Sequence, residues 1–259
     1  MKPRKRFGQN FLKDPGIISK IVDAIRPCPQ DNMVEIGPGL AALTVPLLQI
    51  LDNLDVVEID RDIVGELRKR FPEGKLHIHL ADALKFDFAS LGRDLRVVGN
   101  LPYNISTPLL FHLSEFSDSI KDMHFMLQKE VVDRMTATPS SSDYGRLSVM
   151  LQHRFHMEKC FEVPPESFYP EPKVDSAIVR MIPLDACLAK DEAVFSRIVL
   201  SAFSQRRKTL RNTLKAFLSP EDFEVLAIDP NARAENLSVA DFAKISNRLA
   251  GKAAQCSGS

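Results

Sequence analysis

The stretch Met33-Val34-Glu35-Ile36-Gly37-Pro38-Gly39-Leu40-Ala41-Ala42 decides the fold. Met33–Ile36 reads as a short strand. Gly37 and Gly39 then permit a tight turn and a close approach of a ligand to the backbone, and Ala42–Ile50 reads as the helix that follows. Working outward, Leu54–Ile59, Leu76–Leu80, Leu95–Gly99 and Met123–Gln128 read as further strands. Ile63–Phe71, Pro108–Phe116 and Lys129–Thr136 read as the helices or helical turns between them. This alternation predicts an α/β fold with a mostly parallel sheet and helices on both faces. Upstream, Asp14 and Pro15 open an amphipathic helix with apolar residues at Ile17, Ile18, Ile21, Val22 and Ile25.

The pattern changes after about residue 150. Phe155–Val163 and Ser176–Ile182 are strand-like and flank a proline-rich connection, Pro164 to Pro172, which predicts an antiparallel addition to the sheet. From Glu192 onward the sequence reads as helical, with Phe195, Ile198, Val199, Ala202 and Phe203 on one stripe. The predicted organisation is an α/β domain over residues 1–183 and a small all-helical domain over 184–259.

A chain of 259 residues, 44% hydrophobic and 26% charged, can bury a sizeable core and is not a disordered protein. It contains no run of about 18 apolar residues, so no membrane span is expected. Cys28, Cys160, Cys187 and Cys256 are far apart and form no CxxC pair, which predicts neither zinc site nor disulfide framework and fits a reducing cytoplasm. The basic N-terminus lacks the apolar stretch a secretory signal needs. Cys28, between prolines before the first of these strands, is a poor nucleophile candidate. His77, His79, His153 and His156 show no metal-ligand pattern and are read as structural or surface residues.

The net charge of 0 hides an uneven distribution. Lys2, Arg4, Lys5, Arg6 and Lys13 stand together without an acid, as do Arg206, Arg207, Lys208, Arg211 and Lys215; each cluster carries five positive charges, so the rest of the chain is negative by ten. Arg207, Arg211 and Lys215 recur every four residues and would share one helical face if the segment were helical throughout, with Phe203, Leu210, Leu214 and Phe217 behind them.

The glycine turn points to a nucleotide-like ligand. Glu58 or Asp60, at the end of the second strand, offers a carboxylate to a ribose diol, and Asp82 follows the third. That pattern suits a nicotinamide dinucleotide as well as S-adenosylmethionine. Asn100-Leu101-Pro102-Tyr103-Asn104-Ile105-Ser106 discriminates between them, because it follows a strand whose carboxyl end faces the same crevice. Its residues suit methylation of a ring-conjugated exocyclic amine. The Asn100 side-chain oxygen and the Leu101 carbonyl can accept the two amine hydrogens, Pro102 stiffens the turn, and Tyr103 offers a stacking face.

With these motifs quoted, the chain resembles the small-subunit ribosomal RNA adenine dimethyltransferases, whose bacterial members are the kasugamycin-sensitivity methyltransferases. The resemblance rests on Gly8-Gln9-Asn10-Phe11-Leu12, Glu35-Ile36-Gly37-Pro38-Gly39, Asn100 to Ser106, and Phe168-Tyr169-Pro170-Glu171-Pro172-Lys173-Val174-Asp175-Ser176, in the family's order. It implies a Rossmann-like S-adenosylmethionine-dependent methyltransferase domain that dimethylates N6 of two adjacent adenosines in the 3′-terminal hairpin of 16S rRNA within the small ribosomal subunit. A role in ribosome biogenesis follows from the same resemblance, and a monomer acting in the cytoplasm is expected. It implies that Asn10, Leu12, Gly37, Gly39, Glu58, Asp82 and Asn100 hold the cofactor, and that Tyr103 and Phe168 sandwich the target adenine. It also gives both basic clusters, Arg4, Lys5 and Arg6 with Arg206 to Lys215, to RNA phosphates. One departure is Ala41, where many relatives carry a third glycine; the small side chain is expected to leave cofactor binding intact. The alternatives are an erythromycin-resistance type of 23S rRNA adenine methyltransferase and an assembly factor acting mainly by binding.

Overall fold

The computed structural model describes residues 10–71 and 74–257, the side chains of 253–257 excepted. Its chain begins with β1 (Phe11–Leu12) and α1 (Pro15–Ile25). The Asp14 carboxylate accepts the N–H groups of Gly16 at 2.8 Å and Ile17 at 3.0 Å, capping α1, which buries Ile21 and Ile25. Then come β2 (Met33–Ile36), α2 (Thr44–Leu48), β3 (Leu54–Glu58), α3 (Arg61–Arg70), β4 (Leu76–Leu80), β5 (Leu95–Asn100) and α4 (Ser106–Ser114). After them run β6 (Ile120–Gln128), α5 (Lys129–Thr136), α6 (Arg146–Gln152), β7 (Phe155–Val163), β8 (Phe168–Tyr169) and β9 (Ser176–Pro183). The remaining helices are α7 (Glu192–Ala202), α8 (Leu210–Thr213), α9 (Pro220–Leu226) and α10 (Val239–Ser257).

Seven strands form one sheet in the order β4-β3-β2-β5-β6-β9-β7. The pairs β2–β3, β3–β4, β2–β5 and β5–β6 are parallel, and β6–β9 is antiparallel, as the proline-rich connection predicts. Strand β2 lies between β3 and β5, so the strand order reverses there and opens a crevice at the carboxyl ends of these strands. β2 and β5 approach closely at Gly99, where a Cβ would stand 2.6 Å from the Ile36 carbonyl oxygen. The core beneath contains Val34, Val56, Val97, Val98 and Leu54, each wholly buried. Toward the other strand ends, buried Arg96 bonds both oxygens of Asp122 at 2.9 Å and Asp31 at 2.6 Å.

The helix after the glycine turn is shorter than expected. Gly37, Gly39 and also Ala41 have positive φ, the last at +68°, so the turn continues until α2 starts at Thr44. The left-handed region costs a side chain bearing a Cβ about 1–2 kcal/mol. Ala41 is thus a strained substitute for glycine as well as a packing one.

The chain divides into two compact units. One comprises the described residues up to 132 together with 157–183; the other comprises 133–156 and 184–259 as far as described. The second unit therefore begins its own core with residues the sequence division places in the first. In it, Phe195, Ile198 and Val199 of α7 are fully buried, with Phe242 and Ile245 of α10. The Tyr144 hydroxyl donates to the Leu237 carbonyl at 2.9 Å. His153, wholly buried, lies 3.1 Å from Glu192, a structural role for that histidine. Asp222 of α9 joins Lys252 at 2.6 Å and Arg248 at 3.3 Å, which ties α9 to α10 and holds the carboxyl well below its usual range.

Candidate functional site

The crevice is a cavity of about 290 Å³ built from strand ends of the first unit. Gly37, Pro38, Gly39 and Leu40 follow β2, Glu58 and Ile59 close β3, Asp82 and Ala83 follow β4, and Asn100 to Ile105 continue β5. Asn10, Phe11 and Leu12 close one side. Asn10, Leu12, Gly37, Gly39, Glu58, Asp82 and Asn100 all line this one cavity.

Glu58 is 7% exposed. Burial pushes its carboxyl above the ordinary range; backbone N–H donors at Asp60, Ile59 and Gly39 pull the other way, while the Asp60 charge adds to the rise. The Asp60 N–H donates to Glu58 Oε1 at 2.8 Å. Asp60, the alternative acceptor, instead caps α3, accepting the Asp62 N–H at 3.0 Å, and does not line the cavity. The Asp82 carboxylate is half-buried and turns on the Leu84 N–H at 3.0 Å. Glu35 is a lining residue that sequence reading missed. It is buried, accepts from the Thr44 hydroxyl at 2.6 Å, and is pushed up to about 7 by burial and by the nearby charge of Glu58, against the Thr44 bond.

Asn100 donates through Nδ2 to the Asn10 carbonyl at 2.9 Å. That bond fixes the amide and leaves Oδ1 as its acceptor. The Leu101 N–H donates to the Met126 carbonyl at 3.2 Å, so the turn is anchored on β6. The Tyr103 hydroxyl is 2.7 Å from Ser176 Oγ, at the start of β9. Burial raises the phenol's pKa and the Ser176 bond partly offsets this. Ser176, wholly buried, is a second residue the motif reading did not assign a role. Its presence in the quoted Phe168–Ser176 segment was the only signal.

Phe168, expected to sandwich the target adenine with Tyr103, lies outside the cavity wall that Tyr103 lines. It is 1% exposed, paired with Leu12 across β1–β8, packed into the core cluster, and absent from the cavity wall. In this position it backs the β1–β8 ribbon from the core side. The second basic cluster also differs from expectation. Arg206, Arg207 and Lys208 lie in turns, only Leu210–Thr213 is helical, and Lys215 lies in the following turn. Thr209 has φ −76° and ψ 161°, an extended conformation that breaks any continuous helix, so the four-residue spacing does not make one stripe. All five basic side chains are exposed, while Leu210 and Leu214 are buried. Arg206 is held by Glu235 at 3.5 Å and by the Ser142 carbonyl at 3.1 Å. Arg4, Lys5 and Arg6 lie outside the described residues.

Among the described residues, no group of three or more His, Cys, Asp or Glu is placed to hold a metal ion, and no helix is long and apolar enough to cross a membrane.

Comparison with known proteins agrees with this geometry. A family model described as ribosomal RNA adenine dimethylase matches residues 1–251. The ribosomal RNA small subunit methyltransferase A of Thiobacillus denitrificans is 62% identical over 250 residues, covering 96% of this chain and 98% of the relative. That of Nitrosospira multiformis is 64% identical over 247 residues, covering 95% of each chain. Among solved structures, a dimethyladenosine transferase from Plasmodium falciparum superposes with a TM-score of 0.83 at 29% identity, covering 94% of this chain and 98% of that one. The 23S rRNA methyltransferase ErmE reaches 0.74 at 24% identity, covering 93% and 100%, a likeness of fold alone. The chain belongs to the ribosomal RNA adenine dimethylase family.

Proposed function

We propose that this rRNA adenine dimethyltransferase takes its methyl groups from S-adenosylmethionine and places them on N6 of two adjacent adenosines in the 3′-terminal hairpin of 16S rRNA, within the small ribosomal subunit. The observation that carries the reading is the joining of Asn100, Leu101 and Tyr103 to Gly37, Glu58 and Asp82 around one cavity. The curated relatives, about 60% identical, are named for the small subunit, which favours it over the large.

The donor set fits the cofactor. Among the described residues the cavity wall contains Glu35, Glu58 and Asp82 and no Lys, Arg or His. Such a wall suits a cationic sulfonium and gives no side-chain cation to a dinucleotide's pyrophosphate. Glu58 would accept from the ribose hydroxyls, Asp82 from the adenine amine, and Asn10, Leu12, Gly37 and Gly39 would surround the methionine part. The chemistry S-adenosylmethionine supplies there is an electrophilic methyl on sulfur.

The chain's own task is to make a weak nucleophile attack in line. Asn100 Oδ1 and the Leu101 carbonyl accept the two N6 hydrogens and turn the amine lone pair out of conjugation with the purine. The Tyr103 ring, fixed by Ser176, stacks on the base. No strong base is required, because the alkylated amine is acidic and loses its proton after attack. Catalysis is therefore positioning and electrostatics. Exposed Arg206, Arg207, Lys208, Arg211 and Lys215, with Arg4, Lys5 and Arg6, would neutralise RNA phosphates from loops instead of a helical stripe.

The test is Asn100→Ala, assayed with labelled S-adenosylmethionine and undermethylated small-subunit particles. The rate should fall by roughly 10²–10³, as on loss of one preorganised polar contact. Near-normal turnover, or label outside adenine N6, would sink the mechanism.

A further inference from the structure

The β1–β8 ribbon has two faces. Leu12 pairs with Phe168 and both are buried in the core, whereas Phe11 pairs with Tyr169. Directly opposed residues of an antiparallel pair project to the same face, with Cβ atoms about 4.5–5.5 Å apart. Phe11 lines the cavity, its ring against Gly39, where a Cβ would stand 3.2 Å from the ring. Its partner Tyr169 is 63% exposed. Tyr169 thus shares the ribbon face of Phe11, a residue of the cavity wall, and is itself outside that wall and open to solvent.

The chain has three tyrosines and no tryptophan. Tyr144 is buried and hydrogen-bonded to Leu237, and Tyr103 is held by Ser176, but Tyr169 has no hydrogen-bond partner for its side chain among the described residues. Two cations lie close to it along the two segments of the ribbon. Lys13 extends the ribbon, its N–H donating to the Ser167 carbonyl at 2.8 Å, and Lys173 follows Pro170 and Pro172. Both are exposed, and neither has an ion-pair partner among the described residues.

We infer that Tyr169 is a stacking platform for the nucleobase next to the target adenosine, with Lys13 and Lys173 taking the adjoining phosphates. The inference rests on RNA being the substrate of this cavity. A base drawn out of its stack for chemistry leaves its neighbour with a bare face, and proteins that hold unstacked RNA cover such faces with aromatic rings beside cations. A ring on a paired ribbon, one residue pair from the cavity, meets that need.

Kinetics on undermethylated small-subunit particles test it, with Tyr169→Phe, Tyr169→Leu and Tyr169→Ala beside the parent protein. Loss of one base–aromatic stack should raise KM for the particles roughly 5- to 100-fold in the Ala and Leu variants, with S-adenosylmethionine affinity and thermal unfolding unchanged. Phe should retain the parental KM. A parental KM in Tyr169→Ala overturns the inference, and so does a parental KM in Tyr169→Leu, which would make the contact merely apolar. Failure of the parent protein itself to methylate adenine in the particles would instead overturn the proposed function. If Tyr169→Ala unfolds, the Leu and Phe pair decides alone.

Discussion

The hydrogen bond between Tyr103 and Ser176 is where a single hydroxyl has the most to say about turnover. Ser176→Ala removes only Oγ, and the pairing of Ser176 with Gln128 across β6–β9 is made by backbone and survives. The lost partner stood 2.7 Å from a phenol whose raised pKa marks it as desolvated. An orphaned group of this kind costs about 1–3 kcal/mol, against 0.5–1.5 kcal/mol for the net bond. Freed to turn, the ring loses the orientation that aims the base, and a misplacement expressed only in the transition state lowers kcat. About tenfold, near 1.4 kcal/mol, is the expected loss, with S-adenosylmethionine affinity unchanged because Ser176 does not line the cavity. Tyr103→Phe breaks the same bond from the other side and keeps the ring, so it should match. The double variant should be no slower than either single one, since both remove one interaction, and it should recover stability because no partner is left orphaned. Single-turnover methylation of small-subunit particles measures all three. Additive losses in the double variant, or parental kcat in Ser176→Ala, would refute the coupling.

Two further outcomes concern stability. Glu35 is raised from 4.5 to about 7, so the native state holds its proton more tightly than the unfolded chain. Its contribution is fully present below pH 4.5 and is lost as pH rises through 7, leaving a handicap of roughly 3 kcal/mol above that. Glu35→Gln should therefore gain on the parent protein steadily between pH 5 and 8 in urea unfolding, and a pH-independent difference would contradict this. Ala41→Gly relieves a φ of +68°. The gain of about 1–2 kcal/mol is partly offset by the unfolded-state entropy of glycine, so Tm should rise by the equivalent of up to about 1 kcal/mol, and a fall would disprove the strain.

The α/β frame was legible because its signals are local. Apolar runs such as Leu54–Glu58 and Leu76–Leu80 became strands within a residue of their expected ends, and Asp14-Pro15 capped a helix as such pairs do. The cavity was legible because strand ends in such a sheet converge wherever the order switches, so Glu58, Asp82 and Asn100 needed no long-range knowledge. What failed to show was tertiary. Two-residue strands carry no periodicity, and nothing local says that Phe11 opposes Tyr169 or that Phe168 turns inward. The Ser176 hydroxyl gains its role from a residue 73 positions away. The apparent stripe through Arg207, Arg211 and Lys215 was a spacing without a helix, because Thr209 is extended. Residues 133–156 join the second unit through packing that no composition change announces.

Charge shows most plainly how an average can mislead. A net charge of 0 would ordinarily count against a nucleic-acid partner. Yet the charges at and around the candidate site are unevenly placed. Glu35, Glu58 and Asp82 stand in a cavity wall without a cation, where the donor's sulfonium would sit, and Glu58 carries backbone N–H donors that keep a buried carboxylate serviceable. The cations instead occupy exposed loops, at Arg206 to Lys208 and Lys215, and flank the ribbon at Lys13 and Lys173. An acid-lined cavity would repel phosphate, so on the proposed function the RNA phosphates pair with cations outside its wall. A net charge of 0 is therefore compatible with an acid-lined cavity and separate exposed cations in one protein. On the proposed function, affinity for arbitrary RNA should fall well below that for small-subunit particles at the same salt, and equal affinities would refute this.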